Sequence, residues 1–163
     1  MKNKKVPFFE YPRLWSDDSE NLLSIIDNVS STGGFILQKA VSDFESELAN
    51  YTGVNHVVGV GNATDGMEIY FEAIGIQPGD EIIISDHTYQ ACWNAVDFVT
   101  KRSGAKTVVV PLPYPIENPE EVTQAVLRYT TEKTKLALID TVTSPTGIRL
   151  PFEQIVSELQ SKG

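Results

Sequence analysis

From residue 56 onward, short apolar runs rich in β-branched residues alternate with stretches of helical periodicity. No other feature restricts the fold as much. The runs are His56–Val60, Glu81–Ser85, Lys106–Pro111 and Lys135–Asp140. Between them Met67, Tyr70, Phe71 and Ile74 recur at helical spacing over residues 63–74, and further helices are expected over 89–102 and 118–129. Asn118 is placed to cap the last of these, with Pro119 at its first position and Glu120 and Glu121 in its first turn. Pro151 opens a final helix. Strands that are apolar throughout and separated by helices predict an α/β fold with a three-layer, mostly parallel sheet and helices on both faces. In such sheets ligands gather outside the carboxyl ends of the strands. Three loops fall there by sequence order: residues 61–66, 86–89 and 141–147.

The first third reads differently. Pro7 and Pro12 among aromatic residues predict an extended arm over 1–13. Ser16-Asp17-Asp18 then starts a helix whose face carries Leu22, Leu23, Ile25 and Ile26. Ser30–Gly34 breaks the chain, and a second helix is expected over 38–51, with Gly53 as its stop. The division expected is 1–34, arm and helix, against 35–163. Thirteen basic against 22 acidic residues give a net charge of −9. Such a surface repels nucleic acid and anionic membranes, so neither is expected as the main partner. Single Cys92 has no partner for an internal disulfide, which points to a reducing cytoplasm. No run has transmembrane length, and no metal site is expected.

The most informative loop is Gly59-Val60-Gly61-Asn62-Ala63-Thr64-Asp65-Gly66. A small-residue turn that opens a helix leaves backbone N–H groups unpaired where the helix dipole is positive, which suits a phosphate. The alternative is an ordinary βα turn with Thr64 as N-cap. Gly61 and Gly66 have the spacing of a P-loop, but Met67 and Glu68 stand where Lys and a hydroxyl are needed. A dinucleotide fingerprint fails as well, because Thr64 replaces its third glycine. What remains is a cradle of neutral dipoles and one hydroxyl, better matched to a single phosphomonoester than to a triphosphate with its metal.

Several spaced motifs then point the same way. Gly33-Gly34-Phe35-Ile36-Leu37, Phe44-Glu45, Val57–Val60 with Thr64-Asp65, Pro78-Gly79-Asp80-Glu81 and His87-Thr88-Tyr89 occur in this order. Together they resemble the DegT/DnrJ/EryC1/StrS aminotransferases, pyridoxal-phosphate enzymes of fold type I that aminate keto sugars on nucleotides. From about residues 85–95 onward the resemblance shifts. Asp86-His87 with Tyr89, then Leu136–Asp140 followed by Val142–Gly147, look more like class V aminotransferases of the isopenicillin-N-epimerase type. The change of resemblance suggests a junction there.

The resemblance implies pyridoxal 5'-phosphate as cofactor, an amino-acid donor and a nucleotide-linked keto sugar as substrates, and a homodimer when full length. A class V epimerase or desulfurase activity is the alternative, as is a non-catalytic segment that keeps only the phosphate turn. By position, Asn62, Ala63 and Thr64 would hold the cofactor phosphate, and Tyr89 would stack on its ring. In the class V pattern His87 stacks instead; otherwise it is a polar loop residue hydrogen-bonded to backbone. Ser144 falls beside the cofactor's phenolic oxygen. The family's Schiff-base lysine and its ring-nitrogen aspartate have no counterpart in matching context. The resemblance therefore implies the first, incomplete part of the large cofactor-binding domain, unable to transaminate alone. A sheet lacking the later strands is expected to expose an edge and an apolar face.

Overall fold

The computed structural model describes residues 6–162. The chain divides into two compact units, the first ending at Gly59 and the second beginning at Val60.

The first unit holds α1 (Tyr11–Ser31) and α2 (Lys39–Thr52). Helix α1 starts five residues before Ser16, so residues 11–13 are helical rather than extended. Pro12 sits in the first turn, where a missing N–H costs nothing, and Arg13 reaches Glu10 and Asp17. The expected arm is extended at most up to Glu10, and its first five residues lie outside the described ones. Helix α2 ends as expected: Gly53 adopts φ 74° and donates its N–H to the Ala49 carbonyl. Neither helix has a buried residue.

Residues 56–60 do not form the expected strand. The run is apolar enough, but a strand exists only when a neighbour accepts its hydrogen bonds, and none is present among the described residues. The Gly59 N–H instead donates to the Glu45 carboxylate at 2.7 Å.

The second unit follows the alternating pattern closely. Its elements are α3 (Ala63–Ala73), β1 (Glu81–Ser85), α4 (Gln90–Ser103), β2 (Lys106–Val110), α5 (Pro119–Tyr129), β3 (Thr134–Ala137) and α6 (Phe152–Ser161). The sheet has the order β2-β1-β3, with β1 parallel to both neighbours. Travel across the sheet therefore reverses between the two crossovers. Right-handed connections then put α4 and α5 on opposite faces. Successive side chains of β1 show it. Ile82 and Ile84 pack with Phe71, Ala95, Val96 and Val99 of α3 and α4. Ile83 packs on the other side with Val122 and Val126 of α5 and Ile155 of α6. All three isoleucines are fully buried. This is the three-layer α/β arrangement.

Strand β3 stops three residues before Asp140. Leu138 still donates to the Ile83 carbonyl, but Asp86 then turns toward β2 and bonds Val110. Beyond Leu138 no ladder bond to β1 is present among the described residues.

Candidate functional site

The reversal in strand order also locates the crevice. The connection after β1 leads to one face and that after β3 to the other, so their loops part at the carboxyl ends of β1 and β3. The β1–α4 turn is built from the sequence Ser85-Asp86-His87-Thr88. The Thr88 hydroxyl accepts the Ser85 N–H at 3.0 Å, and the Ser85 hydroxyl accepts the His87 N–H at 3.2 Å. Asp86 Oδ1 accepts the Leu112 N–H at 3.0 Å, which ties in the loop after β2. Tyr89 follows as the residue before α4, half exposed at 52%.

The β3–α6 loop is a stapled turn. Thr143 donates its N–H to Ile148 at 2.9 Å, Gly147 donates back to Thr143 at 2.8 Å, and Val142 bridges Arg149. Gly147 adopts φ 64°, a conformation open to glycine at little cost. The loop and the turn meet through one side-chain contact, His87 Nδ1 with Thr146 Oγ1 at 3.1 Å. Of the residues read from the sequence, His87 and Tyr89 therefore share one turn, and Ser144 lies on the loop bonded to it. Ser144 is exposed, and no hydrogen bond among the described residues uses its hydroxyl.

Asn62, Ala63 and Thr64 open α3. Asn62, not Thr64, is the cap: its Oδ1 accepts the Asp65 N–H at 3.0 Å, and its Nδ2 donates to Asp65 Oδ2 at 2.8 Å. Thr64 is the second helical residue. No hydrogen bond among the described residues takes the N–H groups of Ala63 and Thr64 or the Thr64 hydroxyl, so three donors remain at the helix start. The short turn Gly75–Asp80, held by the Gln77–Asp80 bonds, joins α3 to the amino end of β1. Helix α3 lies against β1 and α4, its Phe71 sharing a buried cluster with Ile82, Ile84 and Val96. No hydrogen bond among the described residues joins it to the other two loops.

Three further residues border the turn and the loop. Asp140, half-buried, has one carboxylate oxygen fully buried without a partner. Burial raises its pKa, against the lowering pull of the Tyr89 N–H and the Thr88 hydroxyl. Burial, and then the Asp140 charge, also raise the pKa of the partly buried Cys92 thiol, which disfavours its thiolate. Thr146 and Tyr114, whose ring lies 5.8 Å from that of His87, reach the turn from loops distant in sequence. No local signal marks either. Among the described residues no three His, Cys, Asp or Glu side chains gather as a metal site, and no helix is long and apolar enough to cross a membrane.

Unpaired donors at a helix start, an exposed aromatic ring and a free hydroxyl at the carboxyl edge fit a phosphate-bearing aromatic ligand. The arrangement defines a three-layer α/β unit. The model of the DegT/DnrJ/EryC1/StrS aminotransferase family matches residues 16–139, and the chain belongs to that family. The match runs unbroken through residues 85–95, so one family accounts for both sides of the expected junction; residues 141–147 lie beyond it.

Among curated proteins the chain is similar to the dTDP-3-amino-3,4,6-trideoxy-alpha-D-glucose transaminase of Streptomyces venezuelae, 34% identical over 56% of this chain and 24% of that protein. A pleiotropic regulatory protein of Geobacillus stearothermophilus is 32% identical over 80% of the chain and 33% of its own length. The 3-oxo-glucose-6-phosphate:glutamate aminotransferase of Bacillus subtilis is 32% identical over 77% and 28%. The chain thus spans about a quarter to a third of the curated relatives it matches. Among solved structures, Bacillus subtilis NtdA with bound PMP gives a TM-score of 0.74 at 25% identity, over 99% of this chain and 36% of that one. The S. venezuelae DesV structure gives 0.72 at 27% identity, over 98% and 40%.

Proposed function

We propose that this chain forms the phosphate- and ring-binding part of a pyridoxal-phosphate-dependent aminotransferase. Its carbonyl substrate is a nucleotide-linked keto sugar and its donor an amino acid. The observation that carries the reading is the set of unpaired donors at the start of α3, in a chain that belongs to this family. Pyridoxal phosphate, when bound, supplies an aldehyde that takes up an amino group and an electron-withdrawing ring. The Ala63 and Thr64 amides and the Thr64 hydroxyl bind the phosphate. Asn62 keeps the turn open for it by engaging Asp65 itself. Tyr89 covers the ring, and Ser144 donates to the ring's phenolic oxygen.

Amino transfer also needs a lysine amine; within the second unit Lys101 lies on α4, Lys106, Lys133 and Lys135 at the amino ends of β2 and β3, and Lys162 at the end of α6. Lys39 and Lys101 pair with Asp43 and Asp97 on their own helices, and Lys106 stands beside Glu81. In this reading the 163 residues bind cofactor but do not turn over, residues 35–163 belong to the cofactor domain, and the full-length enzyme is a cytoplasmic homodimer. The test is a pyridoxal-phosphate titration of the purified chain. Thr64→Val is expected to weaken binding about 10-fold or more, the effect of losing a hydrogen bond to a charged group. Equal affinity in wild type and variant, or no binding at millimolar cofactor, overturns the reading. So does steady amino transfer by the chain alone.

A further inference from the structure

His87 has two readings from sequence, a ring-stacking residue or a polar loop residue hydrogen-bonded to backbone. A stacking residue must offer a flat face. The His87 side chain is only 13% exposed, its ring lies 5.8 Å from the Tyr114 ring, and its Nδ1 already meets the Thr146 hydroxyl. Tyr89, two residues on, is open.

The contact to Thr146 is anchored at both ends. On the loop side, Thr146 Oγ1 lies 2.7 Å from Thr143 Oγ1, and Thr143 is buried and accepts the Ile148 N–H at 3.0 Å. On the turn side, the His87 N–H donates to the hydroxyl of Ser85, which is fully buried. Asp86 Oδ1 stands 3.9 Å from Nε2. Whichever ring nitrogen carries the hydrogen, the Thr146 hydroxyl can accept from or donate to Nδ1 and pair with the Thr143 hydroxyl in the matching sense. The result is a relay of side chains between segments 59 residues apart, at the point where they diverge toward opposite faces of the sheet.

We propose that His87 is a positioning residue: it bolts the Thr141–Gly147 loop to the β1–α4 turn, and so sets Ser144 relative to Tyr89. The proposal rests on the cofactor reading of those two residues, but the bolt itself is testable without cofactor. Hydrogen exchange of the whole chain is measured in Thr146→Val and His87→Ala. Each substitution on one segment is expected to speed exchange on the other roughly 3- to 10-fold, the range set by one lost hydrogen bond. Thr146→Val acts on amides 86–88 and His87→Ala on amides 143–148. Thr146→Ser and His87→Asn, which keep a polar atom in place, are expected to restore wild-type exchange. The double variant should add little to either single one.

Unchanged exchange across the gap overturns the bolt. Failure of the serine and asparagine variants to rescue also overturns it. With pyridoxal phosphate as probe, Thr146→Val is expected to weaken affinity several-fold and Thr146→Ser to recover it. A Thr146→Val affinity equal to wild type, alongside a weakened Thr64→Val, overturns the positioning role while leaving the cofactor reading intact. Absence of cofactor binding in wild type defeats the cofactor reading and with it the positioning role, while the exchange result still decides the bolt.

Discussion

Helices α1 and α5 carry the same kind of sequence signal and meet opposite fates. Each has an apolar face at helical spacing and a proline in its first turn. Val122 and Val126 of α5 are fully buried against Ile83 and Ile155, whereas Leu22, Leu23, Ile25 and Ile26 of α1 remain 43–58% exposed. All the buried residues lie in the second unit. The difference is the sheet. A strand presents a continuous apolar surface on which a helix buries its face, and the first unit contains no strand among the described residues. An amphipathic pattern thus specifies a helix and the side that seeks cover, but not whether cover is supplied within the same unit.

The strongest way to break this contrast is a cavity in each unit. Ile83→Ala is expected to cost about 2–5 kcal/mol in urea unfolding, because Ile83 is enclosed on all sides. Leu22→Ala should stay within about 0.5 kcal/mol, because its side chain is already solvated. Equal losses at the two positions would mean that α1 is covered in solution. Caps come next. Asn118→Ala, which removes the acceptor for the Glu120 N–H, should lower stability by about 1 kcal/mol. Gly53→Ala forces a side chain onto φ 74° at a cost of about 1 kcal/mol, and should appear as fraying of α2 by circular dichroism.

A smaller effect sharpens the second unit alone. Burial lifts the Asp140 pKa above the ordinary 3.8, so the folded chain keeps that proton to higher pH than the unfolded chain does. The stability linked to it is complete below the ordinary value and is lost as pH rises through the folded value. Asp140→Asn should remove this decline. Parallel stability curves for wild type and variant over that window would show that the carboxyl titrates normally. The smallest expected effect is in the first unit. Lys39→Ala breaks an exposed pair with Asp43, and its melting should match wild type within error.

Much of the fold was legible because its signals are local. Gly53 stops α2, and Asn118 with Pro119 starts α5, each through contacts within a turn. At the candidate site, motif resemblance singled out Tyr89, Ser144 and the Asn62–Thr64 turn as expected cofactor contacts. The actual cap was not legible, because Asn62 and Thr64 are both good cap residues and only the bond to Asp65 chooses between them. The contacts of Thr146 and Tyr114 with His87 were invisible, since nothing near them in sequence names the group they face.

The sequence by itself determined the element types, most of their ends and the α/β class. Propensity, periodicity and capping act over a few residues and need no distant partner. Only the tertiary structure decided the strand order β2-β1-β3, the early end of β3, the absence of a strand at 56–60 and the meeting of His87 with Thr146. Each of these depends on which backbone or side-chain group arrives opposite another from tens of residues away. An apolar run becomes a strand, and a histidine a bolt, only when that partner is in place.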